Sequence, residues 1–124
     1  MRPISPTLHG IIDYLAVLFL ILAPGLFNLG PIPALASYIL AAIIAGLTLF
    51  TAFPPGLFRL VSVPTHGGID LVTAFVIAAL PWILGFSNQP TARNLFLVVA
   101  VAVFGVWLLT NWRAGTSRAV PATR

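Results

Sequence analysis

Four side chains in this sequence could do chemistry that a hydrocarbon cannot: His9, Asp13, His66 and Asp70. They are both histidines and both acidic residues of the 124-residue chain. They occur as His-Gly-Ile-Ile-Asp from His9 to Asp13 and as His-Gly-Gly-Ile-Asp from His66 to Asp70. A spacing of four puts imidazole and carboxylate on one face of a helix. Two imidazoles and two carboxylates are an adequate ligand set for a divalent transition metal such as zinc, manganese or iron. His9 and His66 could instead be the two axial ligands of a haem. Histidine titrates near neutral pH, so the same pairs could pass protons or ions in a transporter. The plainest reading is structural: an aspartate near a helix N-terminus is favoured by the helix dipole, and a histidine beside it can hydrogen-bond to it and join two helices.

The elements that must position these groups are set by composition. The chain is 60% hydrophobic and 6% charged, with a mean hydropathy of +1.08. A soluble domain carries about 25% charged residues to solvate its surface, so the solvent of this chain is expected to be lipid. Its net charge of +4 comes from scattered arginines at segment ends, which form no patch for nucleic acid and read as topology signals. Without cysteine there is no thiolate nucleophile, disulfide or Cys-type zinc site. No phosphate-cradling glycine loop, His-Glu-x-x-His or Ser-His-Asp order is present, so nothing points to an enzyme.

Four apolar runs are long enough to cross a bilayer, which takes about 20 helical residues. They fall at about 8–29, 34–53, 65–86 and 91–112. Ser5 before Pro6 is a hydroxyl cap ahead of a first-turn proline, and Pro90 likewise starts a helix after a polar turn. Gly30-Pro31-Ile32-Pro33 and Pro54-Pro55-Gly56 are turns. The first run has an arginine before it and Ala34-Leu35-Ala36 after it, as a cleaved signal would. Its return later as an internal helix argues for a permanent span. In the second run Ala34, Ser37, Ala41 and Ala45, widened by Ala42 and Gly46, form a small-residue stripe of the kind that brings helices close in lipid. This stripe is the expected contact for a homo-oligomer.

The runs are two copies of one unit. A shift of 57 residues places His9 on His66, Gly10 on Gly67, Asp13 on Asp70 and Pro24 on Pro81. The second helices match with a shift of 59, which places Gly46 on Gly105 and Thr51 on Thr110. The expected organisation is one membrane domain: repeat 1 at 5–53, an interfacial loop at 54–63, repeat 2 at 64–113 and a polar tail at 114–124. Each unit is a helical hairpin, so the repeats run parallel, related by an axis along the membrane normal. The fold class is all-α, a bundle of four transmembrane helices. Tandem two-helix units with a proline-tryptophan motif late in the first helix resemble the SPW-repeat membrane proteins. The motif is Leu80-Pro81-Trp82, followed by Ile83-Leu84-Gly85-Phe86-Ser87. The first copy has Ala23-Pro24-Gly25, and neither copy has the serine. The resemblance implies a four-span integral membrane protein and carries no activity.

With four spans both termini and the 54–63 loop share one side, together with Arg2, Arg59, Arg113, Arg118 and Arg124. Arg93 alone is opposite. The positive-inside rule then puts both termini in the cytoplasm, in an inner membrane of bacterial type. Trp112 reads as a cytoplasmic aromatic anchor and Trp82 as an outer one. On the terminal side His9, Asp13, His66 and Asp70 are expected at one depth, approached by Thr51, Thr110 and Asn111 at the ends of helices 2 and 4. Pro24 and Pro81 are expected to bend helices 1 and 3 before the outer turn. The outer half of the bundle is expected to be a greasy plug.

Overall fold

The structure is a computed structural model that describes residues 2–115. Arg118, Arg124 and the polar tail beyond residue 115 therefore lie outside the described residues. Four helices follow in order: α1 (Pro6–Leu26), α2 (Pro31–Leu49), α3 (Val63–Ile83) and α4 (Pro90–Leu109), with a short 3-10 turn at Trp112–Gly115. All four are long and apolar enough to cross a membrane. At 1.5 Å per residue each is about 30 Å long, the thickness of the hydrocarbon core.

Each helix starts where the sequence supplies a cap or a proline. Ser5 accepts the Leu8 N–H ahead of α1, and Ser62 accepts the Thr65 N–H ahead of α3. All four helices carry proline at one of the first two positions, where the missing N–H costs no helical bond. Pro24 and Pro81 sit two residues before the ends of α1 and α3. Their carbonyls accept matching bonds from Leu29 and Phe86, which close the turns at the end away from the termini. The turn between α1 and α2 is two residues shorter than that between α3 and α4, which accounts for the change of shift between the first and second helices of the repeat.

Two corrections apply to the element boundaries. The second and fourth helices end at Leu49 and Leu109, earlier than the apolar runs suggest, and α3 already begins at Val63. The chain after each of the two leaves the helix with alternate residues buried, Thr51 and Phe53 or Thr110 and Trp112, so hydropathy does not mark the break. There the backbone makes two matching parallel bridges. Val61 donates to the Phe50 carbonyl (2.7 Å) and accepts from the Ala52 N–H (2.8 Å). Ile4 donates to the Leu109 carbonyl (3.0 Å) and accepts from the Asn111 N–H (2.8 Å). The end of hairpin 1 is thus stitched to the start of hairpin 2, and the end of hairpin 2 to the start of hairpin 1.

Backbone packing is closest within hairpins, α1 on α2 and α3 on α4, with a shorter contact between α2 and α3. The half away from the termini is filled by Leu20, Leu40, Ile77, Phe86, Phe96 and the small residues between them. The rings of Phe86 and Phe96 meet edge to face there, with centroids 5.1 Å apart. Outer faces carry leucine, valine and phenylalanine exposed in place of polar side chains, such as Leu15, Leu35, Val72 and Phe75. The small-residue stripe of α2 packs inside the chain at its centre. Ala41 is buried, and Ser37, fully buried, donates to the Leu20 carbonyl of α1 at 2.7 Å. The contact expected between copies is at those positions a contact between α1 and α2.

Candidate metal centre

Parallel α1 and α3 bring both histidine-aspartate pairs to the axis between the hairpins. His9, Asp13 and His66 are buried, and Asp70 is nearly so. One ligand atom from each lies within 4.8 Å of all the others. The closest contacts cross between hairpins: His9 Nε2 to Asp70 Oδ2 at 2.8 Å and His66 Nε2 to Asp13 Oδ2 at 3.1 Å. Contacts within a hairpin, His9 to Asp13 and His66 to Asp70, are both 3.3 Å.

The outer nitrogens of the imidazoles are also held crosswise. His66 Nδ1 is 2.7 Å from Thr51 Oγ1, and His9 Nδ1 is 2.8 Å from Thr110 Oγ1. Each threonine gives its single hydroxyl proton to a carbonyl one turn back, Leu47 or Val106, at 2.6 Å. The hydroxyl therefore accepts at the imidazole, and each Nδ1 must carry a hydrogen. That fixes the ring orientation and directs both Nε2 atoms inward, at the carboxylates. His66 Nε2 makes no hydrogen bond, although carboxylate oxygens stand at 3.1 and 3.3 Å: it is aimed between them.

Two aromatic residues roof the cluster on the terminal side. Phe53 lies against the His66 ring at 5.4 Å, and Trp112 against the His9 ring at 4.6 Å. The 59-residue shift pairs these two residues, as it pairs Thr51 with Thr110. Glycine is needed beneath each. A Cβ on Gly67 would stand 2.7 Å from the Trp112 ring, and one on Gly10 would stand 2.9 Å from Pro55 and 3.2 Å from Phe53. Trp112 is thus turned inward, its Nε1–H on the Trp107 carbonyl at 3.0 Å, in place of the interfacial role expected of it. Trp82, at the end of α3 away from the termini, is 57% exposed.

Of the seven residues singled out by sequence, His9, Asp13, His66, Asp70, Thr51 and Thr110 converge. Asn111 is exposed, and its backbone N–H goes to the Ile4 carbonyl. Sequence reasoning missed Thr48, which is fully buried and donates to Asp13 Oδ2 at 2.9 Å. Its signal was a hydroxyl three residues before Thr51, on the same helical face. It also missed the roof. The pairing of Phe53 with Trp112 just after the paired threonines was available.

The arrangement suits a small cation better than a macrocycle. A four-coordinate ion with bonds of about 2.0–2.2 Å needs donor atoms about 3.3–3.6 Å apart; the nitrogen–oxygen spacings here are 2.8–3.3 Å and all four ligand atoms lie within 4.8 Å of one another, so small shifts would close the site on an ion. A haem between His9 and His66 would need the space that Asp13 and Asp70 fill beside both Nε2 atoms. Compared with protein-family models, with curated proteins and with solved structures, the chain matches none.

Proposed function

We propose that this is a small membrane protein that binds one divalent transition metal ion through His9, Asp13, His66 and Asp70. The observation that carries the reading is the crosswise anchoring of both Nδ1 atoms by Thr51 and Thr110, with His66 Nε2 left unbonded between two carboxylates. Histidine ligands of metals characteristically donate the second ring nitrogen to an oxygen, which fixes tautomer and direction. Charge supports it as well. Two neutral imidazoles, two carboxylates and one divalent ion sum to zero, as do the same four groups sharing two protons. The ion can replace those protons with no net charge left in the bilayer.

A metal-free staple is the second reading, favoured by the short His9–Asp70 contact of 2.8 Å. Titration separates the two. Chelator-treated protein in detergent is titrated with cobalt(II) and zinc(II). One ion per chain, a tetrahedral cobalt absorption band displaced by zinc, and release of close to two protons per ion are expected. Thr51→Val and Thr110→Val should each weaken binding about 10–100-fold. No saturable binding in a protein of normal thermal stability leaves the staple alone.

The orientation proposed is that of the positive-inside rule, with the roofed end in the cytoplasm of a bacterial inner membrane. Membership of the SPW-repeat proteins is proposed on Leu80-Pro81-Trp82 and the doubled hairpin. Transport is not favoured, because Phe86, Phe96 and Ile77 fill the half beyond the cluster. Homo-oligomerisation keeps only the exposed edge of α2, Ala42 with Ile39 and Ile43.

A further inference from the structure

Between hairpins α2 makes only a short contact with α3, and a gap remains between α1 and α4. The gap is a cavity of about 340 Å³, which runs from His9 to Leu20 along α1 and from Val106 to Val98 along α4. Small-molecule sites begin at about 300 Å³. Its walls are apolar, and Leu15 and Val98 on its rim are exposed to the surrounding lipid. Its polar end is formed by His9, Asp13, Asp70 and Thr73.

We propose that this groove binds one aliphatic chain ending in a hydroxyl, a long-chain alcohol taken sideways from the bilayer, with the hydroxyl donating to Asp70 and accepting from Thr73. The protein contains the precedent for the head contact. Asp13 receives the Thr48 hydroxyl at 2.9 Å. The residue paired with Thr48 in the second repeat is Trp107, so Asp70 has no such donor from its own hairpin. Asp70 faces the groove instead. None of the side-chain hydrogen bonds among the described residues involves Thr73, one turn deeper on the same helix. A ligand hydroxyl would do at Asp70 what Thr48 does at Asp13.

Charge selects the head. With two shared protons or with one divalent ion the cluster is neutral overall, so an ionised head of either sign gains no net attraction there to offset its loss of water. A neutral donor fits. Length selects the tail: eleven residues of α1 between His9 and Leu20 span about 16 Å. A single chain fills that distance. The inference goes beyond metal binding and does not depend on it, since a carboxylate bound to an ion through one oxygen keeps acceptor sites on the other.

The test uses protein in phosphatidylcholine vesicles and dodecanol carrying a mid-chain diazirine, with the matching dodecanoic acid and dodecane as comparators. Dodecanol is expected to label Val99, Ala102 and Val103 saturably, and lipid-facing Val72 only in proportion to dose. Dodecanoic acid should show no saturable component. Thr73→Val should lower dodecanol labelling about fivefold to tenfold, the worth of one hydrogen bond, and leave dodecane labelling unchanged. Ala102→Phe should fill the groove and remove the saturable component for every probe. Chelator should change none of this. Labelling spread evenly around the helices, acid labelling equal to alcohol, or a Thr73→Val protein that labels like the parent overturns the proposal.

Discussion

Asp13 and Asp70 occupy the same place in their hairpins and each stands between the two histidines, yet Asp70 holds His9 in a 2.8 Å hydrogen bond while Asp13 has none to His66, and their other neighbours differ too. Asp13 takes a hydroxyl proton from Thr48, whereas the matching position beside Asp70 is Trp107. Trp107 turns away, stacked on Phe104 at 5.7 Å and lying under the Arg2 guanidinium. Around the axis the hairpins agree residue by residue: histidine, glycine, aspartate, threonine, aromatic roof. Away from it, Thr48 gives way to Trp107, and a groove opens between α1 and α4. A duplicated chain holds its symmetry where both copies build one site and loses it where one copy is free to vary. The agreement identifies the polar centre, and the disagreement identifies the groove.

The largest effect should come from breaking the centre unequally. Removing one partner of a buried ion pair costs about 3–5 kcal/mol, because a charge is left without compensation. Asp13→Ala should reach that range and exceed Asp70→Ala, since Asp13 alone accepts the buried Thr48 hydroxyl while the two carboxylates are equally buried. Reversible unfolding in mixed micelles with rising denaturing detergent measures both. An equal loss for the two would erase the distinction between the hairpins.

Much of this centre is legible in the sequence, for a definite reason. In a chain this apolar, the few polar residues within spans have one place to go, and a repeat of even span number puts both sets at one depth. His9, Asp13, His66, Asp70, Thr51 and Thr110 follow from that alone. Asn111 does not, because a residue past the end of a helix is placed by the turn and not by helical period. The roof was hidden because Phe53 and Trp112 continue apolar runs, so nothing in hydropathy says that the chain has left the helix to fold over the histidines. The α2 stripe showed the need for a close neighbour but not which one, and α1 supplies it. The groove could not be read at all, since it depends on the spacing between α1 and α4, which no residue pattern encodes.

The roof offers the next comparison, between adjacent glycines. An added methyl on Gly67 meets the Trp112 ring at 2.7 Å, while one on Gly68 meets nothing within 4 Å. Overpacking of this kind costs about 1–3 kcal/mol. Gly67→Ala should therefore destabilise the protein and change the environment of Trp112, read as a shifted tryptophan emission. Gly68→Ala should stay within about 1 kcal/mol of the parent, with helix propensity acting in its favour. If both variants shift the emission, Trp112 does not rest on Gly67.

The smallest effect tests the asymmetry itself. Thr48→Val keeps the side-chain shape and removes the hydroxyl that Asp13 accepts, so hairpin 1 comes to resemble hairpin 2 at that point. Hydrogen bonds between helices in lipid are worth about 0.6 kcal/mol on average and about 1.7 at most, because the unfolded chain in the membrane also finds partners. A loss in that range is expected, at the upper end because the acceptor is a buried carboxylate. Combined with Asp13→Ala, the same change should cost almost nothing further, since the hydroxyl has already lost its acceptor. If the two losses simply add, Thr48 acts through packing on its neighbours. The carboxylates would then differ only in their contacts to the histidines, and the contrast between the hairpins would reduce to those contacts and the groove between α1 and α4.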